Sequence, residues 1–361
     1  MNQQVQAMYD KMRTKLEKVV PDVELRIKAE IAVEINALKV ERNAVILGHN
    51  YMEPALFYSI PDFVGDSLDL SRKAAQTDKD VIVFCGVKFM AETAKILNPN
   101  KTVLLPSDKA GCSLAAAITA DDVRALKALF PGVPVVTYVN TYADVKAESD
   151  ICCTSSNAKA VVESLNTDKV IFLPDEYLGG NVARDLGWNI IFPDIKSTAK
   201  HAKNAKENQE LNLSDLSGLR GKTMIGWRGR CEVHEKFTVN DIRTVRAQFP
   251  DVAVLAHPEC SPDVTAASDF SGSTNAMIKY VKESTAPQYL VLTECAMGDN
   301  IAAANPEKDM LRLCMVRCPH MNTITMEDTL AALKFNRYEI DVPEEIRVRA
   351  ARSVQRMIEI G

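Results

Sequence analysis

Three cysteines stand in surroundings suited to chemistry. Cys112 lies in KAGCSLA, between an apolar run and an alanine-rich stretch. A thiol at a helix start is favoured as thiolate by backbone N–H groups and the helix dipole. Cys231 lies in WRGRCEVHEKF, where Arg228, Arg230 and His234 are close enough in sequence to stabilise a thiolate. Cys318 lies in RCPHMN, and a Cys-Pro step at the opening of a helix recurs at iron–sulfur ligands. The three are far apart along the chain and can meet only at a shared cavity. Three thiolates suit one iron–sulfur cluster with one iron left open, able to act as a Lewis acid. Spacing alone leaves the alternative standing that these thiols, too, are buried packing residues.

The other cysteines read as packing. Cys85, Cys260 and Cys295 end apolar runs, and the vicinal Cys152 and Cys153 precede TSSNA. Cys314 and Cys318 are spaced C-x3-C, but a C-x3-C-x2-C radical-cluster motif would need a cysteine where Met321 stands. Of five histidines, His49, His234 and His257 lie at or near strand ends and are candidates for acid–base work or anion binding. Glu259 follows His257 by two residues, so extended backbone would put both side chains on one side. Tyr51, Tyr138 and Asn140 add neutral hydrogen-bonding groups. Three hydroxyl-rich turns, GDSLDLS (65–71), CTSSNA (153–158) and SGSTNAM (271–277), each precede a helical stretch. Such turns bind phosphate or carboxylate at a helix N-terminus, or simply cap it.

The elements that must position these residues are short β-branched runs alternating with amphipathic stretches, the pattern of parallel α/β units with buried strands. They fall into three groups: 44–50, 80–86 and 102–108; then 134–140, 169–175 and 189–194; then 222–229, 251–259 and 289–295. One α/β unit used three times would gather its active groups at the carboxyl ends of the strands, around one central cavity. A helical N-terminal part, interrupted near Pro21, precedes the first unit. A polar segment, 197–219, links the second to the third, and helical stretches at 325–337 and 343–359 end the chain. The 361 residues suit two or three domains. A net charge of −5 argues against broad nucleic-acid binding. Nine cysteines, an odd number, cannot all pair, and no secretory or membrane-spanning run stands out, so a reducing cytoplasm is expected.

GHNY at 48–51, GDSLDLS, AGCSLA, YVNTYADVKAESDICCTSSNA at 138–158, CEVHEKF, HPEC at 257–260, TECAMGDN at 293–300 and CPHMN together resemble the quinolinate synthase family, from about residue 40 to 335. The resemblance implies three related three-layer α/β domains with pseudo-threefold symmetry: 1–115 with the N-terminal helices, 116–218, and 219–318, the C-terminal helices of 319–361 packing on the first. It implies a [4Fe–4S] cluster on Cys112, Cys231 and Cys318, its fourth iron open to the reactant. Pocket residues fall by motif on His49, Tyr51, Ser67, Tyr138, Asn140, Ser155, His257, Glu259 and Thr274, with His234 a weaker assignment. The implied reaction condenses iminoaspartate with dihydroxyacetone phosphate to quinolinate, releasing phosphate and water, in NAD biosynthesis. Glu259, oriented by His257, would move protons, with Tyr51 and Tyr138 assisting. The hydroxyls of Ser67, Ser155 and Thr274, with His49, would hold carboxylate and phosphate oxygens. Transient contact with an iminoaspartate-producing enzyme and a monomeric or homodimeric state are compatible; nucleic-acid and membrane partners are not expected.

One departure concerns Cys314: members with a C-x2-C-x2-C arrangement before the last ligand carry more cysteines than this chain, which argues against disulfide control there. Rival readings are a non-catalytic iron–sulfur sensor, an aconitase-like hydro-lyase and a binding protein whose cysteines only pack.

Overall fold

The structure, a computed structural model, describes residues 2–193, 221–311, 313 and 316–361. The linker expected at 197–219 lies wholly outside these residues, as does Cys314. Among the described residues the strands, in chain order, are β1 (Ala44–His49), β2 (Phe63–Gly65), β3 (Val81–Cys85), β4 (Thr102–Leu104), β5 (Val135–Tyr138), β6 (Ile151–Cys153), β7 (Lys169–Leu173), β8 (Asn189–Ile191), β9 (Thr223–Gly226), β10 (Ala253–Ala256), β11 (Phe270–Ser271), β12 (Gln288–Leu292) and β13 (Asp309–Leu311). They form three parallel sheets ordered β2-β1-β3-β4, β6-β5-β7-β9-β8 and β11-β10-β12-β13. The protein is therefore an α/β chain of three parallel-sheet layers flanked by helices.

Burial explains why the central runs are strands. Every residue of β1 and β3 is buried, as expected of parallel strands covered by helices on both faces. Two differences from the sequence reading concern the strands. The run 222–229, expected to open the third unit at 219, instead contributes β9, which pairs with β7 and β8 in the second sheet. An apolar run fits any parallel sheet equally well, so its partner is set by the crossovers around it. The second difference is an extra edge strand in each unit, β2, β6 and β11, only two or three residues long. Such strands are too short to carry a periodic signal, yet each delivers one of the hydroxyl-rich turns.

The N-terminal part is a pair of helices, Gln3–Leu16 and Asp22–Glu41, divided at Pro21 as expected. Helix Met326–Phe335 packs on Asp22–Glu41 and on β3, within the first unit. The last helix, Glu344–Glu359, was expected on the first unit as well. It spans a seam, touching Lys88–Leu97 of the first unit but packing mainly on Ala143–Glu148 and β6 of the second. Glu148 fixes it there, accepting from Arg349 at 2.8 Å and from Arg124 at 2.6 Å.

Candidate active site

The carboxyl ends of the three sheets face one cavity. The same strand positions supply its residues in each unit. β1 ends at His49 and β5 at Tyr138, while His257 directly follows β10. Two residues further on stand Tyr51, Asn140 and Glu259. The neighbouring edge strands are in register: His49 pairs with Gly65 and Tyr138 with Cys153, and the Gly272 N–H reaches the carbonyl of Ala256, just before His257. Two residues beyond these three partners come Ser67, Ser155 and Thr274. Cys112, Cys231 and Cys318 complete the set, and all twelve line the one cavity.

Two of the hydroxyl turns are true helix starts. Asp66 caps Ser67–Gln76, accepting from Leu68 and Asp69, and Ser273 caps Thr274–Glu283. Ser67 and Thr274 thus occupy the first helical position, beside N–H groups with no intrahelical partner. Ser155 sits in a turn held by Asn157, whose side-chain oxygen accepts the Thr154 N–H at 2.8 Å. The Ser156 hydroxyl donates to Asp66 at 2.5 Å and joins two of the turns. Among the described lining residues there is no lysine or arginine. An anion here must be met by N–H groups, hydroxyls or a bound cation.

Glu259 is the hub of the polar network and is only 3 % exposed. Its Oε1 accepts from Asn140 Nδ2 at 3.1 Å, and the Tyr138 hydroxyl also donates to the carboxylate. Its close histidine partner differs from the one expected. His257 Nδ1 is 4.0 Å from Oε2, whereas His234 Nδ1 is 2.6 Å from it. The ring nitrogen of His257 accepts the backbone N–H of Glu259 instead, at 3.3 Å, and its ring stacks on His234 with centroids 4.6 Å apart. On its far side, His234 Nε2 lies 2.9 Å from the Thr293 hydroxyl, which in turn meets the Tyr51 hydroxyl at 2.6 Å. A line of polar contacts thus runs Tyr51–Thr293–His234–Glu259–Tyr138.

Burial sets the protonation states. It lowers His257 to about 3 and His49 to about 4, so both are neutral imidazoles at neutral pH. Burial and the Glu259 charge hold the phenols of Tyr51 and Tyr138 well above their ordinary value. For Glu259 itself burial acts upward, but His234, His257 and the Tyr138 hydroxyl more than reverse it, leaving an ionised carboxylate. Asp175, buried at the end of β7, moves the opposite way, pushed up by burial and by the charge on Glu259.

The three thiols behave alike. Burial pushes Cys112 up to about 12, Cys318 up to about 11 and Cys231 well above the ordinary thiol value. The backbone N–H groups at positions +2 and +3 from each cysteine act in the other direction: Leu114 and Ala115, Val233 and His234, His320 and Met321. Arg230 is taken up by Glu176 at 2.9 Å, and Arg228 lies over the Phe192 ring, so neither neutralises Cys231. Three half-buried thiols with paired N–H donors, in a cavity whose described lining has no lysine or arginine, are a donor set that fits a thiolate-bound metal cluster, which would supply positive charge there. Cys231 Sγ, a His234 nitrogen and a Glu259 oxygen also lie within 4.8 Å of one another. The remaining described cysteines, Cys85, Cys152, Cys153, Cys260 and Cys295, are buried, as expected of packing residues.

Sequence reasoning gave His234 too little weight and missed Thr293. A signal for His234 was present, because the three cysteines open similar segments and only the second has a polar residue at +3.

A family model described as NadA, quinolinate synthetase A protein, matches residues 33–359. Among curated proteins, quinolinate synthase 2 of Mesorhizobium japonicum is 49% identical over 353 residues, 98% of this chain and 97% of the relative. Quinolinate synthase of Agrobacterium fabrum is 46% identical over 361 residues, 99% and 93% of the two chains. That of Xylella fastidiosa is 49% identical over 336 residues, 93% and 89%. With a cavity assembled from all three units, and with matches of this identity over nearly the whole chain, the protein belongs to the quinolinate synthetase A family, whose curated members are quinolinate synthases.

Proposed function

We infer that the chain condenses iminoaspartate with dihydroxyacetone phosphate to quinolinate, releasing phosphate and water, with a [4Fe–4S] cluster held by Cys112, Cys231 and Cys318. The observation that carries this reading is the convergence of three remote thiols on a cavity that also holds an ionised glutamate and three hydroxyl turns. When bound, the cluster supplies a Lewis acid through an iron that no protein ligand fills.

The chain's own residues do the rest. Ser67, Ser155 and Thr274 bind carboxylate and phosphate oxygens through hydroxyls and adjacent N–H groups, which suits a cavity lacking lysine and arginine. His49, neutral, donates one hydrogen bond to the same anions. Glu259 takes a proton from carbon beside the sugar carbonyl at a carboxylate oxygen and returns it during isomerisation. The Tyr138 hydroxyl donates to the carboxylate, while His234 holds Oε2 through Nδ1 and meets the Thr293 hydroxyl, and through it Tyr51, on its other side. His257 fixes the loop by accepting the Glu259 N–H and by stacking on His234. The walls Phe89, Met90 and Val87 exclude water, which protects an imine prone to hydrolysis. Iminoaspartate would come from a partner enzyme by transient contact, in a cytoplasmic setting.

The Cys231–His234–Glu259 trio supports a second reading, a single metal ion. It is the weaker one, because His234 and Glu259 already engage each other at 2.6 Å. The test is anaerobic reconstitution with iron and sulfide, followed by a quinolinate assay with iminoaspartate generated in the cuvette. Quinolinate formation that needs dihydroxyacetone phosphate, with sulfide bound to the protein, supports the proposal. A metal without sulfide, or dehydration of a hydroxy acid without the sugar phosphate, contradicts it.

A further inference from the structure

The three cysteine loops are copies of one another, and the likeness extends well past the cysteines. Seven residues after each comes a threonine and ten after each an aspartate: Thr119 and Asp122, Thr238 and Asp241, Thr325 and Asp328. Each threonine caps the next helix, Ala120–Leu129, Val239–Gln248 or Met326–Phe335. In each box the threonine hydroxyl accepts the aspartate N–H, at 3.3, 3.2 and 3.0 Å, and donates to an aspartate Oδ2, at 2.9, 2.8 and 2.9 Å. The residue before each threonine is apolar and buried: Ile118, Phe237 and Ile324.

The other end of each loop is pinned as regularly. The carbonyl two residues before the cysteine accepts the N–H of the residue that opens the helix after the unit's central strand. These bonds are Lys88 to Ala110 at 2.8 Å, Glu176 to Gly229 at 2.8 Å, and Cys295 to Val316 at 3.2 Å. Between the two anchors the cysteine carbonyl accepts the N–H at +4, at 3.0, 3.0 and 3.1 Å. That turn aims the N–H groups of +2 and +3 at the sulfur.

We propose that the three Thr–Asp boxes are positioning devices for the metal centre, fixing the downstream end of each cysteine loop so that three thiols from three units meet at one point. This inference rests on the cluster reading above. It also explains the distribution of chemistry. The scaffold repeats, and at +3 the repeat places Ala115 and Met321 against His234. The only polar residue at that position is the one that meets Glu259.

The test uses the full chain reconstituted anaerobically with iron and sulfide. Thr119→Val, Thr238→Val and Thr325→Val each remove one cap while keeping the side chain's shape. Thr→Ser at the same sites restores it. Asn2→Ala removes a cap of the same kind from the remote helix Gln3–Leu16. Iron release to a chelator, cluster absorption and thermal unfolding are read on every variant. The valine variants should release iron about fivefold faster, the factor equivalent to a cap worth about 1 kcal/mol. The serine variants should release it at the wild-type rate, and Asn2→Ala should lose thermal stability without faster release. For a valine variant that takes up no iron, thiol modification of the metal-free chain is the second readout, and faster modification of its own cysteine is expected. Unchanged release and unchanged thiol reactivity in the valine variants, or equal acceleration by Asn2→Ala, would overturn the inference. Failure of the wild type to bind iron would instead overturn the cluster reading.

Discussion

Replacing His234 with alanine should move the acid limb of activity. Glu259 is 3 % exposed and His234 2 %, so their contact at 2.6 Å is made away from solvent. Leaving a buried carboxylate short of one hydrogen-bond partner costs about 1–3 kcal/mol. Asn140 and the Tyr138 hydroxyl continue to hold the carboxylate, so about 2 kcal/mol is expected. Divided by 1.36 kcal/mol per pKa unit, that is a rise of about 1–2 units. Glu259, held down to about 2 in the intact network, should therefore titrate higher in the variant. The sign follows from the direction of the shift. A carboxyl depressed in the folded state contributes stability above its unfolded value and loses it as pH falls through the folded one. His234→Ala should therefore unfold more readily at pH 7, and its kcat/KM should fall at higher pH on the acid side. The assay is a pH profile of quinolinate formation on cluster-loaded protein, paired with denaturant unfolding of His234→Ala, Glu259→Gln and the double variant. In the Glu259→Gln background the histidine should matter far less, since the charge it serves is gone. An acid limb that does not move, or additive costs in the double variant, would refute the argument.

Two other perturbations follow from the same geometry. Gly229→Ala would bring a Cβ to 2.5 Å from the Pro174 carbonyl oxygen, so the loop before Cys231 must shift. We expect a cost of about 1–3 kcal/mol in unfolding experiments and reduced iron retention, with thiols elsewhere unaffected. Glu148→Gln should loosen the last helix. Burial acts upward on Glu148, but Arg349 and Arg124 hold it below the usual carboxylate range. The arginines are about half exposed, so the cost should be only about 1 kcal/mol. It should be present above the ordinary glutamate pKa and fade as pH falls through the lower folded value, so the two proteins should differ more at pH 7 than at pH 3 in thermal unfolding.

Much of the site was legible in the sequence because its residues sit at strand ends, where an apolar run stops and a polar group begins. His49, Tyr138 and His257 could be placed that way, and the cysteines by their neighbours. What remained hidden was pairing. Nothing local tells β9 to join the second sheet, since its Thr-Met-Ile-Gly run is buried in either place. The partner of Glu259 was hidden for a similar reason. His257 is near in sequence, but its ring nitrogen is used by the Glu259 backbone, and the free carboxylate oxygen turns to His234 from another unit. The edge strands were too short for a period-two pattern, though their turns were visible. The repeated spacing from cysteine to threonine to aspartate was readable throughout, but its role as three equivalent helix caps shows only once the structure aligns the three.

The central claim is that Cys112, Cys231 and Cys318 hold one cluster. Its most direct test is iron and sulfide per chain, with visible absorption, after anaerobic reconstitution of the wild type and of Cys112→Ala, Cys231→Ala, Cys318→Ala and Cys152→Ala. The account predicts about four iron and four sulfide in the wild type and in Cys152→Ala, and loss of the cluster in each of the other three. A wild type without sulfide-bound iron, or an intact cluster in any of those three variants, would contradict it.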